Sequence, residues 1–212
     1  MAQDTDPVGN GFIASLARPG GNITGLSNYY PDLSGKQLEL LKEIMPSLAR
    51  VAVLGNSAEP GNRQALRETE VAAAALGIQP QYLDVRDPKN FETAFRAASK
   101  ERADAVLVLS SPIAASQREQ VAQLAIKSRL PAMYQISESV EAGGLVTYGV
   151  STNDLWRRAA VYVDKILKGA TPAELPVEQP TRFELIINLK TARQIGLTIP
   201  PNVLARADRV IK

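Results

Sequence analysis

Between residues 50 and 135 the chain alternates short, nearly continuous apolar runs with longer stretches whose apolar residues recur every three or four positions. The runs are "RVAVLGN" (50–56), "IQPQYLDV" (78–85), "ADAVLVLSS" (103–111) and "LPAMYQ" (130–135). Apolar runs this short, closed by turn residues, read as strands, and the third is apolar enough to be buried on both faces. Between them, "RQALRETEVAAAALG" (63–77) has helical periodicity and places Gly77 at the natural C-terminal cap. "DPKNFETAFRAASKE" (87–101) sets Phe91, Ala94, Phe95 and Ala98 on one helical face. "PIAASQREQVAQLAIKSR" (112–129) opens a third helix with Pro112 in its first turn after a Ser cap. Pro80 either delays the start of the second strand or places it near an edge. The alternation predicts an α/β fold: a doubly wound parallel sheet with helices on both faces and strands at 51–54, 79–85, 105–109 and 132–135.

The flanks break this pattern. Residues 1–30 offer a helical patch around "GFIASLA" and, after the turn-forming "RPGGN", a strand "NITGLS". Residues 144–212 offer a strand "GLVTYGV", a helix over 153–168 and a Pro-rich connector "GATPAELPVEQP". A strand "FELIINL", a short helix "KTARQIG" and an unassigned tail follow. Trp156, on the long helix, is expected in a core. Such pieces, separated by a whole α/β lobe, imply a chain that crosses between two lobes near 27–30 and 137–148, around a hinged cleft. The expected division is a complete lobe over 31–140, inserted into a partial lobe made of 1–30 and 141–212.

Composition then removes function classes. The 212 residues are 45% hydrophobic and 22% charged with a formal net charge of +2, an ordinary globular profile with no basic surface for nucleic acid. No run of about 18 apolar residues is present to span a membrane, and the acidic, turn-forming "MAQDTDPVGN" is not a signal peptide. There is no His and no Cys. Disulfides, thiolate chemistry, a Ser-His-Asp triad and the commonest metal ligands are therefore excluded, and no cofactor or metal is expected. Gly9-x-Gly11-x-x-Ala14 matches a dinucleotide fingerprint in spacing but lacks the apolar strand that aims it. "GNSAEPGNR" has P-loop-like glycines at the wrong spacing and no following Lys, so it reads as a plain strand-to-helix loop.

"DPVGNGFIASLARPGGNITGLS", "LSGKQLELLKEIMPSLARVAVL", "VEAGGLVTYG" and "YVDKILKGATPAELPVEQPTRFELIINLKTARQIGLTIPPNVLARADRVI" together resemble one family across nearly the whole chain. It is the ABC-transporter substrate-binding proteins that include tryptophan and tyrosine binders, with the type I periplasmic-binding-protein fold. The resemblance implies a non-catalytic receptor, periplasmic or extracellular and lipid-anchored, that closes two lobes on a small organic molecule and hands it to an ABC permease. An aromatic amino acid is the ligand the resemblance favours. It also implies that the sheet to which "NITGLS" belongs is largely missing from this chain. The partial lobe is then incomplete, and the expectation is either that two copies pair through it or that the flanks stay partly molten while the central lobe folds.

Ligands of open α/β sheets lie beyond the carboxyl ends of the strands, where helix N-termini present free N–H groups. Those ends carry Asn56 and Ser57, Ser110 and Ser111, and Tyr134 and Gln135. Their small polar side chains suit a carboxylate, although a Ser before a helix also serves as a plain cap. Tyr134 and Tyr148 are candidates to stack on a planar ligand, Asp154 to pair with an ammonium group, and Ser27 to contribute from the crossing. A small α/β sensory domain, or an enzyme using carboxylate and Tyr chemistry, is the alternative reading.

Overall fold

The four apolar runs form strands β1 (Arg50–Gly55), β2 (Gln79–Asp84), β3 (Ala105–Val108) and β4 (Ala132–Tyr134). Their pairings β1–β2, β1–β3 and β3–β4 are all parallel. In this computed structural model, which describes residue 4, residues 6–27 and residues 33–212, the sheet continues beyond them. Strands β5 (Val146–Val150), β6 (Phe183–Asn188) and β7 (Arg209–Ile211) complete the order β2-β1-β3-β4-β5-β6-β7. β5 is parallel to β4, and β7 to β6. Asn188 N donates to Leu145 O and Ser151 N to Arg182 O, a pattern that runs β6 antiparallel to β5. β2 lies at the edge, where Pro80 costs no ladder bond.

The helices are α1 (Leu33–Ile44), α2 (Pro60–Leu76), α3 (Asn90–Lys100), α4 (Pro112–Ser116) and α5 (Arg118–Lys127). They continue with α6 (Ser137–Glu141), α7 (Thr152–Leu167), α8 (Leu189–Ile195) and α9 (Pro201–Leu204). Gly77 caps α2 in the left-handed conformation, φ 66°, and its N–H closes the last turn onto Ala73 O and Ala74 O. The expected single helix over 112–129 is two, because Gln117 at φ −106°, ψ 20° ends one and begins the next. A one-residue break leaves the apolar spacing almost unchanged, so periodicity does not reveal it.

Strand alternation sorts the core into two layers. Val51, Val53, Leu107 and Met133 face Leu38 and Leu41 of α1, Ala73 of α2, Ala192 of α8 and Val203 of α9. Ala52, Leu54, Val106, Val108 and Tyr134 face Phe91 and Phe95 of α3, Val121 and Ala125 of α5 and Val140 of α6.

The chain divides into two units, Met1–Tyr30 with Val150–Phe183, and Pro31–Gly149 with Glu184–Lys212. This corrects the expected boundary at 140. Residues 184–212 belong with the α/β lobe because β6 and β7 extend its sheet and bury Leu185, Ile186 and Ile187 in its core. The crossing expected at 27–30 falls mostly on residues 28–30, which lie outside the described residues.

In the smaller unit "NITGLS" is not a strand: it contributes one isolated parallel bridge, Leu26 to Glu178. Nor is "GFIASLA" helical; after the turn that ends at Gly11 its residues form bends and irregular backbone, as expected of a patch too short to sustain a helix alone. This unit's core is Leu26, Val150, Leu155 and Tyr162, with Ala159, Leu175 and Phe183 packed against it. Trp156 is not in it. With Val163 and Leu167 it forms a stripe on the outer face of α7, 56%, 56% and 82% exposed respectively.

Candidate functional site

Strand order places a topological switch at β1. The chain leaves β1 through α2 toward β2 on one side, then returns past β1 to β3 on the other. α2 packs on one face of the sheet, and α3, α4 and α5 on the other. The loops after β1 and β3 therefore part to opposite faces, which opens a crevice at the carboxyl edge of these two strands.

Asn56, Ser110 and Gln135 come together at this edge through a chain of side-chain amides. Asn56 N donates to Asn62 Oδ1 at 2.9 Å, and Asn62 Nδ2 donates to Ser110 O at 2.7 Å. On its other side Ser110 N donates to Gln135 Oε1 at 2.7 Å. Gln37, fully buried on α1, donates from Nε2 to Tyr148 O at 2.6 Å and to Tyr134 O at 3.4 Å. The carboxyl ends of β1, β3, β4 and β5 are thus held by amides from α1, α2 and the strand ends themselves. Asn56 Oδ1 accepts from Ala58 N at 3.0 Å, an Asx turn that shapes the β1–α2 loop. Asn56 Nδ2 and Ser110 Oγ make no hydrogen bond among the described residues.

Ser57 belongs to a charged cluster at the end of β2. Its N–H and hydroxyl donate to Asp84 at 2.8 and 2.9 Å, and Arg86 Nε pairs with the same carboxylate at 2.7 Å. Burial pushes the Asp84 carboxyl upward, but the hydrogen bonds from Ser57 and Arg86 outweigh it and hold the group below its ordinary value. Tyr82 donates to the same carboxylate at 3.2 Å; burial and the Asp84 charge push its phenol up to about 12.

The remaining candidates stand elsewhere. Ser111 accepts from Ala114 N at 3.1 Å and caps α4, so its hydroxyl is occupied by the helix it starts. Tyr134 is not a stacking platform: it is 2% exposed and its ring lies in the core layer with Val140 and Ile186, on the face strand alternation gives it. Tyr148 is half-buried against the opposite layer. Ser27 and Asp154 belong to the smaller unit. There Ser27 N donates to Glu178 O at 2.9 Å and Ser27 Oγ to Asp4 O at 3.1 Å, while Asp154 sits in the first turn of α7. Among the described residues no group of three or more carboxylates is placed to hold a metal ion.

Asn62 and Gln37 were not among the residues singled out from the sequence. Gln37 did carry a signal: it is a polar residue on the apolar face of α1, between Leu33 and Leu41. Asn62 sits in the first turn after a Pro start, where a short amide folds back on the preceding loop.

The model of the ABC transporter substrate binding protein family matches residues 1–211. A tyrosine-binding protein of Clostridioides difficile is 25% identical over 210 residues, covering 93% of this chain and 56% of the relative. The chain therefore spans little more than half of that curated relative. An ABC domain in complex with L-Trp from Streptococcus pneumonia is similar with TM-score 0.91 and 30% identity, over 100% of this chain and 70% of that one. A conserved domain protein from Vibrio cholerae has TM-score 0.89 and 31% identity, over 97% and 69%. LacI-family regulators at 14% and 13% identity share the fold alone. The α/β lobe with its switch at β1, and a family match running the length of the chain, lead to one conclusion: the chain belongs to the ABC transporter substrate-binding protein family.

Proposed function

We propose that the chain is the ligand-binding part of an ABC uptake system and takes an aromatic amino acid at the carboxyl edge of its seven-stranded sheet. The family match over residues 1–211 carries this reading. The relatives' own ligands, tyrosine in one and L-Trp in another, support the ligand class. Asn56 Nδ2 and Ser110 Oγ, with Ser57 beside them, are the polar groups that would meet the amino acid. Delivery to a membrane permease follows as the partner, outside the cytoplasm, with binding and release in place of catalysis. Pairing of two copies would use the smaller unit, where α7 exposes Trp156, Val163 and Leu167.

The test is thermal unfolding with L-tyrosine, L-tryptophan and, as controls, glycine and ribose. A ligand at 100 times its Kd adds about 2.7 kcal/mol of stability. A saturable shift with either aromatic amino acid and none with the controls is expected. A shift with ribose alone, or with none of the four, would refute the reading.

A further inference from the structure

The amide of Asn62 spans the crevice at the switch point, and both of its ends are used. Its Oδ1 accepts from the Asn56 N–H at 2.9 Å and its Nδ2 donates to the Ser110 carbonyl at 2.7 Å. A backbone N–H only donates and a carbonyl only accepts, so the amide fits in one orientation alone. The side chain is 4% exposed, which shields both bonds from competition with water. Gly55 makes the room: a Cβ there would lie 2.8 Å from Asn62 Oδ1 and 3.0 Å from Leu109 Cδ1. Ser110 is gripped a second time, its N–H by Gln135 Oε1 at 2.7 Å, so both polar groups of its backbone are tied to side-chain amides. The backbone ladder between the two strands ends at Leu109 N to Leu54 O, 2.9 Å, and beyond it the Asn62 amide carries the polar link on to Asn56 and Ser110 as the loops leave toward opposite faces of the sheet.

We infer that Asn62 is a positioning residue that sets the separation of the β1–α2 and β3–α4 loops, and with it the spacing of Asn56 Nδ2 and Ser110 Oγ. On the proposed function both atoms meet the ligand, and hydrogen bonds weaken steeply when a donor or acceptor is displaced or turned. The inference rests on the site proposed above, and it adds the device that sets the grip of that site. Asn62 itself need not touch the ligand.

Asn62→Asp is the decisive variant because it keeps shape and acceptor but, when ionised, sets a carboxylate oxygen against the Ser110 carbonyl. Burial and that carbonyl raise the pKa of the new acid. Once protonated, it donates to Ser110 O and rebuilds the bridge. The ionisable groups on the flanking elements, Glu59, Tyr82, Asp84 and Arg86, are common to variant and wild type and cancel in the ratio of affinities. With L-tyrosine and L-tryptophan as probes, Asn62→Asp is expected to bind about 10-fold or more weakly than wild type at pH 8 and to recover as pH falls to 5. Gly55→Ala, which pushes the amide aside, is expected to lose affinity at every pH. Thr69→Ala, a buried change on α2 away from the crevice, is expected to track wild type.

Wild-type affinity for Asn62→Asp at pH 8, or a loss that pH does not reverse, would overturn the inference. If wild type binds neither amino acid, the proposed function fails and hydrogen exchange of the ligand-free chain decides the inference. Protection at the Ser110 amide, whose bond to Gln135 Oε1 depends on the loop being held, is then expected to drop about 10-fold in Asn62→Asp at pH 8 relative to wild type and to return at pH 5. Unchanged protection would refute it.

Discussion

Removing the Tyr134 hydroxyl is expected to stabilise the protein. Tyr134 is 2% exposed, its Oη makes no hydrogen bond among the described residues, and burial pushes its phenol pKa well above the ordinary value. The ring itself is tightly placed: a Cβ on Gly144 would lie 2.6 Å from its Cε2. Leaving a buried hydroxyl unpaired costs about 1–3 kcal/mol, which Tyr134→Phe recovers. Against this stands a void of roughly 10 Å³, costing about 0.2 kcal/mol at ~24 cal/mol per Å³. The net expectation is a gain of about 1–3 kcal/mol, or roughly 2–12 °C in Tm for a chain of this size. Urea unfolding followed by circular dichroism measures it, with a raised midpoint at unchanged slope as the signature of stability alone. Ligand affinity is expected to stay at the wild-type value, since the ring is enclosed in the core layer. A destabilised Phe variant would show that the hydroxyl has a partner after all. A loss of binding at full stability would return Tyr134 to the site.

Gln37→Leu keeps the packing of α1 but strips the donor from Tyr148 O, and is expected to cost about 2 kcal/mol in a denaturant melt. A neutral result would mean that another group reaches that carbonyl. Tyr82 and Tyr162 both have phenols pushed to about 12 by burial and a nearby carboxylate. Because the unfolded phenols ionise at the ordinary value of 10.0 while the folded ones stay neutral, stability is expected to hold below pH 10 and to fall from 10 to about 12. The double variant Tyr82→Phe, Tyr162→Phe should flatten that limb, and an unchanged slope in pH-dependent melts would contradict the assignment. Finally, the chain is expected to self-associate at micromolar concentration through α7, and Val163→Glu with Leu167→Glu to reduce this without lowering Tm. Analytical ultracentrifugation showing a wild-type monomer throughout would refute it.

Local pattern was enough for the central strands and for α2 and α3. A run such as "ADAVLVLSS" has one low-energy use in a soluble α/β chain, as a strand covered on both faces, and Gly77 has one use at the end of α2. It also sufficed to bring Asn56, Ser57, Ser110 and Gln135 to one edge, because residues that end parallel strands share that edge whatever the strand order. Pairing between distant segments was decided only in three dimensions. Nothing local marks β6 and β7 as an extension of the β1–β5 sheet, and nothing local forbids "NITGLS" from being a strand; each depends on whether a partner's free edge is presented. The same holds within the site. Which face Tyr134 takes follows from strand register against α5 and α6, and the role of Asn62 exists only because the end of β3 comes within hydrogen-bonding distance of the first turn of α2. Propensity and periodicity describe what a segment can do alone, whereas a side-chain bridge between Asn56 and Ser110 depends on the crossover that brings them together.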